Sequence, residues 1–144
     1  IYIMLNKYTR SSYNDKIEIE TPRQISKKHD YFCQEAVKLA TKSTMHQKHG
    51  CVIIQNNNII GRGFNYYAKF MEHKYSIHAE VSAINDAKKN KIAIENAIMY
   101  VVRIKNSDIH NNYDLIETKQ SQPCTDCLKC IQNYKINKVF FSIN

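Results

Sequence analysis

Cys51-Val52-Ile53-Ile54-Gln55, Asn56-Asn57-Asn58 and Ile59-Ile60-Gly61-Arg62-Gly63-Phe64 follow one another without interruption, and their reading decides the fold. The first segment is rich in β-branched residues and reads as a strand. Asparagine tolerates positive φ, so the middle segment is turn chemistry. The third segment is then the return strand of a hairpin. Gly63 inside it marks a bulge or the close approach of another backbone. Asn65 follows directly.

Helical spacing of Phe32, Ala36, Leu39 and Ala40 predicts an amphipathic helix over residues 23–42 ahead of the hairpin. Thr21 as N-cap and Pro22 at the first helical position would open it. Cys33 on that helix reads as a buried structural thiol. After the hairpin comes a loop over 66–76, rich in Tyr and Lys. A second helix follows, from an N-cap at Ser76 to about Asn90, with Val81, Ile84 and Ala87 facing the core. Ala97–Ile104 reads as an apolar strand, and 105–122 as polar chain without clear periodicity. Pro123 opens a third helix reaching about Lys135, and Lys138–Ile143 is a closing strand. Within an otherwise irregular 1–21, the alternation Ile17-Glu18-Ile19-Glu20 suggests a short edge strand. Helix, hairpin, helix, strand, helix, strand predicts an α/β fold: a three-layer α-β-α sandwich with a mixed central sheet. Residues 1–22 form an extension and 23–144 the domain. The sheet is left with an open edge, to be covered by the N-terminal segment or by a partner subunit in a homo-oligomer.

Hydrophobic residues make up 43% of the 144 and charged ones 24%, which is the balance of a globular chain rather than a disordered one. No apolar run approaches a membrane span, and Ile1–Leu5 is too short for a signal-peptide core. Five cysteines, two of them in a C-x-x-C, read as metal binding in a reducing, cytoplasmic compartment rather than as a disulfide frame. The net charge of +8 favours phosphate-bearing partners. The lysines are scattered, however, and read first as a solvated surface. Arg62, Lys69, Lys74 and Arg103 are the candidates to grip a phosphate, none with a strong signal. Tyr66, Tyr67, Phe70 and Tyr75 read as core or loop anchors ahead of a surface that stacks on bases.

Two short motifs carry chemistry: His78-Ala79-Glu80 and Pro123-Cys124-Thr125-Asp126-Cys127. Together they supply three zinc ligands, His78, Cys124 and Cys127, and a carboxylate, Glu80, that is not a ligand. A catalytic zinc takes three protein ligands and leaves a fourth position for water. Cys124 and Cys127 share a helix face at i and i+3, near a helix N-terminus that favours thiolates. Glu80 stands two residues from His78, so the two meet only if both reach over the N-terminus of their helix. A structural zinc site would need a fourth ligand. Cys130 is the candidate, but it lies roughly 9 Å along the helix axis from Cys124.

On these residues the chain resembles the cytidine/deoxycytidylate deaminase superfamily over 25–143, whose H-x-E…P-C-x-x-C signature they match. The first helix, Gly50-Cys51-Val52-Ile53-Ile54, Gly63-Phe64-Asn65 and the closing Ile131–Phe141 segment also fit. The resemblance implies a zinc hydrolase acting on C–N bonds of cyclic amidines, with Glu80 shuttling the proton. It implies that Asn65 contacts the substrate sugar and that Ala79 lends a backbone group near the reacting amine. A first motif beginning with His resembles the branch holding deoxycytidylate, tRNA adenosine and guanine deaminases. Ser121-Gln122-Pro123-Cys124 fits the polynucleotide cytosine deaminases, but those carry a Trp before the Pro and this chain has no Trp. The first expectation is dCMP or CMP as substrate. Another base or nucleoside, or an editing reaction on adenosine or cytidine in tRNA, is the alternative. The chain departs from the pattern in the 46 positions separating His78 from Cys124. The extra length, Lys105–Gln122 with His110 and Tyr113, reads as a plain surface loop ahead of a substrate lid or an oligomer contact.

Overall fold

A computed structural model of the chain describes residues 5–9, 17–18, 27–69, 75–105 and 116–143, with side chains from residue 27 onward. The hairpin is its spine. Strands β3 (Lys48–Gln55) and β4 (Asn58–Phe64) pair antiparallel around Asn56 and Asn57, whose φ values of 49° and 66° match the right-handed twist of the strands. The register slips after Ile53, which pairs with Gly61 while Ile54 pairs with Ile59. The bulge therefore falls at Ile60, and Gly63 serves the other purpose its type allows, close approach.

The main sheet runs β2-β1-β9-β7-β3-β4, with β8 (Thr118–Lys119) also on β7. Here β1 is Leu5–Thr9, β2 Ile17–Glu18, β7 Ile98–Ile104 and β9 Lys138–Ser142. Among the described residues only the β7–β9 pairing is parallel, so the sheet is mixed. Helix α1 (Lys27–Ala40) covers one face; α2 (Ala79–Lys89) and α3 (Thr125–Asn133) cover the other. Strand alternation sorts the core. Val52, Ile54, Tyr100 and Val102 pack with Phe32, Ala36, Val37 and Ala40 on the α1 side. Cys51, Ile53, Met99 and Val101 pack with Ala83, Ile84 and Ile131 on the other. The three-layer architecture is as the element order predicts.

All three glycines of the chain lie on this hairpin and make room for helix backbone. A Cβ on Gly50 would lie 2.6 Å from the Ala40 nitrogen and closer still to the Ala36 oxygen. A Cβ on Gly61 would meet the Ala83 oxygen at 2.5 Å. None of these glycines has positive φ, so space alone dictates the residue.

Four expectations change. Strand β1, within a segment read as irregular, pairs with β9 from Leu5↔Ser142 to Thr9↔Lys138, so the N-terminal segment covers that edge. The buried stripe of α2 is Ala79, Ala83, Ile84 and Ala87, with Val81 only half-buried, because the close approach to Gly61 and Gly63 selects alanine. Ser76 does not cap α2. It lies in β6 (Ser76–Ile77), which pairs with β5 (Tyr66–Tyr67) as a separate ribbon. Tyr66 and Tyr67 on that ribbon, and Tyr75 just before β6, are exposed rather than core anchors. Thr21, Pro22, Phe70, Lys74, His110 and Tyr113 lie outside the described residues. No helix among the described residues is long and apolar enough to cross a membrane.

Candidate active site

Two helix N-termini meet on the α2/α3 face. His78 is the N-cap of α2, with φ −74° and ψ 154°, and Cys124 is the N-cap of α3, with φ −70° and ψ 167°. An extended cap residue is not bound by helical spacing, which resolves the His78–Glu80 geometry. His78 stands outside the helix, and Glu80 sits in its first turn. At α3 the Cys127 N–H donates to the Cys124 sulfur at 3.5 Å, so the cap itself holds the two sulfurs at one mouth.

The three predicted metal ligands come together. The Nδ1 atom of His78 lies 3.6 Å from the Cys124 sulfur and 3.3 Å from that of Cys127, and the three donor atoms fall within 4.8 Å of one another. Tetrahedral zinc with ordinary Zn–S and Zn–N bonds sets its sulfur and nitrogen ligands about 3.6 Å apart. The donor set therefore fits zinc in both chemistry and spacing. His78 and Cys124 are exposed and Cys127 is buried, so the centre sits at the wall of an open cavity. Cys130 is not part of the group.

Glu80 is 5% exposed. Burial pushes its carboxyl above the usual carboxylate range; the nearby His78 imidazole and Cys127 thiol work against that shift. A buried acid beside three metal donors, and not among them, can both take and hold a proton.

The cavity, of about 400 Å³, is lined by His49, Asn65, His78, Ala79, Glu80 and Cys124 among others. Asn65 is buried and its amide is engaged on both ends. Its Oδ1 accepts from the His49 N–H at 2.8 Å, and its Nδ2 donates to the Gln47 carbonyl at 2.6 Å. Its own carbonyl accepts from the Ser43 hydroxyl at 2.8 Å. Asn65 thus ties the start of β3 to the end of β4 at the cavity wall, leaving one amide hydrogen for anything else. Ala79 is fully buried as the first residue of α2, where backbone N–H groups have no helical partner.

His49 and Ser142 carried no signal in the sequence, and Ser121 carried one only as the start of Ser121-Gln122-Pro123-Cys124. His49 lines the cavity, and burial lowers its pKa to about 4, helped by Arg103 and His78, so its imidazole is neutral near pH 7. Ser121 and Ser142 are buried where β7, β8 and β9 meet. The Ser142 hydroxyl donates to the Lys119 carbonyl at 2.6 Å and accepts from the Arg103 N–H at 3.1 Å. The Ser121 hydroxyl donates to the Val101 carbonyl at 2.8 Å and accepts from the Ser142 N–H at 2.9 Å. This network fixes the chain two residues before Pro123-Cys124. Serine is common and polar, and only the non-local pairing reveals its task.

The family model of the cytidine and deoxycytidylate deaminase zinc-binding region matches residues 26–143. The chain is 43% identical over 63 residues to a tRNA-specific adenosine deaminase of Streptococcus pyogenes serotype M18, a match covering 42% of this chain and 38% of that protein. The match thus spans well under half of that curated relative. Among solved structures, the dCMP deaminase of cyanophage S-TIM5 in apo form superposes with a TM-score of 0.54 at 17% identity, over 74% of this chain and 75% of that one. The same phage enzyme in complex with dCMP and dUMP gives a TM-score of 0.52 at 16% identity, over 81% and 79%. These structures share the fold.

Proposed function

The chain belongs to the cytidine and deoxycytidylate deaminase zinc-binding family, and we propose that it hydrolyses the exocyclic amine of a nucleobase, with dCMP or CMP as first substrates. One observation carries the reading: Glu80 is buried at the cavity beside the His78/Cys124/Cys127 group without belonging to it. His78, Cys124 and Cys127 would hold zinc, and what a bound zinc supplies is a water acidified toward neutrality. Glu80 would take a proton from the attacking water and deliver it to the ring nitrogen beside the amine-bearing carbon, as the water oxygen bonds to that carbon. Glu80 would then pass the water's second proton to the amine, so that the C–N bond breaks and ammonia leaves with a carbonyl in its place. Ala79 offers its backbone beside the reacting group, and Asn65, through its remaining amide hydrogen, contacts the sugar.

A second reading, the same chemistry on a base within RNA, is favoured by the local match to a tRNA-specific adenosine deaminase. An ammonia-release screen over cytosine, adenine and guanine as bases, nucleosides and monophosphates tests both. Turnover of dCMP that Glu80→Gln abolishes supports the first. Turnover of no small substrate moves the screen to RNA.

A further inference from the structure

His49 lines the cavity but has no part in the reaction proposed above. It leaves β3 on the same face as Cys51 and Ile53, the face that carries α2 and α3. Its surroundings fix what it can offer. The Gln47 carbonyl accepts from Asn65 Nδ2 at 2.6 Å, and a ring N–H of His49 is turned to that same carbonyl. The His49 backbone N–H donates to Asn65 Oδ1 at 2.8 Å, and the Asn65 N–H donates to the His49 carbonyl at 3.2 Å. Because the ring and the amide hang on one carbonyl, they are neighbours on the cavity wall. Burial first, then the Arg103 and His78 charges, keep the ring neutral near pH 7. Arg103 pairs with His49 across β3 and β7, so that both side chains leave the same face. A neutral imidazole that donates through one nitrogen presents the other as an acceptor. Among the described residues no hydrogen bond reaches that second nitrogen.

We propose that His49 is a specificity-determining residue, whose second ring nitrogen accepts from a hydroxyl of the substrate's sugar while Asn65 donates to that hydroxyl. The pairing follows from the chemistry of the two groups. Asn65 keeps one amide hydrogen uncommitted and His49 one lone pair, and a hydroxyl both accepts and donates. The ligand class is then a nucleoside or nucleotide that retains this hydroxyl, in preference to a free base. A site built to bond a hydroxyl rejects an analogue that lacks it, because its own polar groups are left unpaired. The proposal rests on the deaminase reading for the base in the cavity. It adds the sugar group that is read and the residue that reads it.

Zinc-loaded Glu80→Gln protein, which binds without turnover, is titrated by calorimetry with cytidine, deoxycytidine and dideoxycytidine monophosphates, and with the adenosine series in parallel. Loss of the hydroxyl that His49 reads should weaken binding on the order of 10-fold. The loss falls between the first two ligands if that hydroxyl is the one deoxyribose lacks, and between the last two if it is the one dideoxyribose also lacks. Adding His49→Phe, which keeps a ring but offers no acceptor, should erase the difference, so that ligands with and without the hydroxyl bind alike. His49→Gln, with an acceptor oxygen, should bring part of it back. Equal binding of all three ligands by the Glu80→Gln protein overturns the proposal, as does binding of none in either series. So does a His49→Phe protein that loses affinity for all three by the same factor, since that marks packing alone. Ammonia release by protein with Glu80 intact separates the two readings. Hydroxyl discrimination that vanishes in His49→Phe, without ammonia release from any substrate, leaves this contact standing and refutes the deaminase reading. Ammonia release without such discrimination does the reverse.

Discussion

Gly63→Ala is the sharpest test of how the fold positions the site. A methyl group at Gly63 would lie 2.5 Å from the Ala79 carbonyl oxygen, 2.8 Å from the Ser82 carbonyl carbon and closer still to the Ala83 nitrogen. Ordinary contact begins near 3.4 Å, so α2 must retreat by about 1 Å, and none of the three atoms is a flexible side-chain end. Overpacking of this kind costs about 1–3 kcal/mol, a fall in melting temperature of roughly 3–10 °C for a domain of this size. The displaced turn carries His78 and Glu80. A misplacement of about 1 Å near reacting groups costs on the order of 100-fold in turnover. Gly50→Ala is the control: its methyl would strike α1, on the opposite face of the sheet. It should lose comparable stability and keep far more activity per folded, zinc-loaded molecule. Thermal melts, zinc content and ammonia release on both variants decide the matter. A Gly63→Ala protein that melts and turns over like wild type would falsify the claim that this glycine seats α2.

Glu80→Gln should keep its zinc and lose about 100- to 10,000-fold in turnover, whereas Cys127→Ala should lose zinc and melt earlier; metal analysis beside kinetics separates the two. Ser142→Ala strips an acceptor from the Arg103 N–H and a donor from the Lys119 carbonyl, at a cost of about 1–3 kcal/mol in urea unfolding. Unchanged unfolding would mean that water replaces the hydroxyl. His49 predicts a pH window. Its folded pKa of about 4 lies below the ordinary 6.5, so below pH 6.5 the unfolded chain binds the proton first. Stability present above pH 6.5 then falls by roughly 3 kcal/mol as the pH drops to 4. His49→Asn should flatten that slope relative to wild type, and parallel pH profiles would show that His49 titrates normally.

The parts of this molecule legible in the sequence are those whose signal is local. Asn56-Asn57 between two β-branched runs announces the hairpin, and Phe32, Ala36, Leu39 and Ala40 announce α1. His78-Ala79-Glu80 and the C-x-x-C announce a metal site because few other roles ask for those residue types together. What stayed hidden is set by distant partners. Ser76 has the side chain of an N-cap, but its backbone pairs with Tyr67, and the cap falls to His78. Strand β1 alternates only weakly and is decided by β9. His49 looks like any strand residue until Asn65 binds its N–H and the cavity opens beside it.

The long separation of His78 from Cys124 leaves the donor spacing undisturbed, and the sheet explains why. The excursion that begins after β7 returns through β8, which pairs back onto β7 at Arg103↔Lys119 and Ile104↔Thr118. Its two ends are further joined where the Lys105 N–H donates to the Glu117 carbonyl at 3.0 Å and Lys105 meets the Glu117 carboxylate at 2.9 Å. Lys119 and Lys105 together hold that carboxyl down to about 2, so it stays charged throughout the physiological range. The loop is therefore closed before the chain reaches Ser121, and the cost of closing a longer one rises only slowly with its length. The register of β7, β8 and β9, locked by Ser121 and Ser142, then determines where α3 starts. Cys124 and Cys127 are set by the sheet, and His78 and Glu80 by the glycines beneath α2. The two halves of the site are thus positioned by independent contacts on one rigid layer, which is why a change in the connection between them need not disturb the centre.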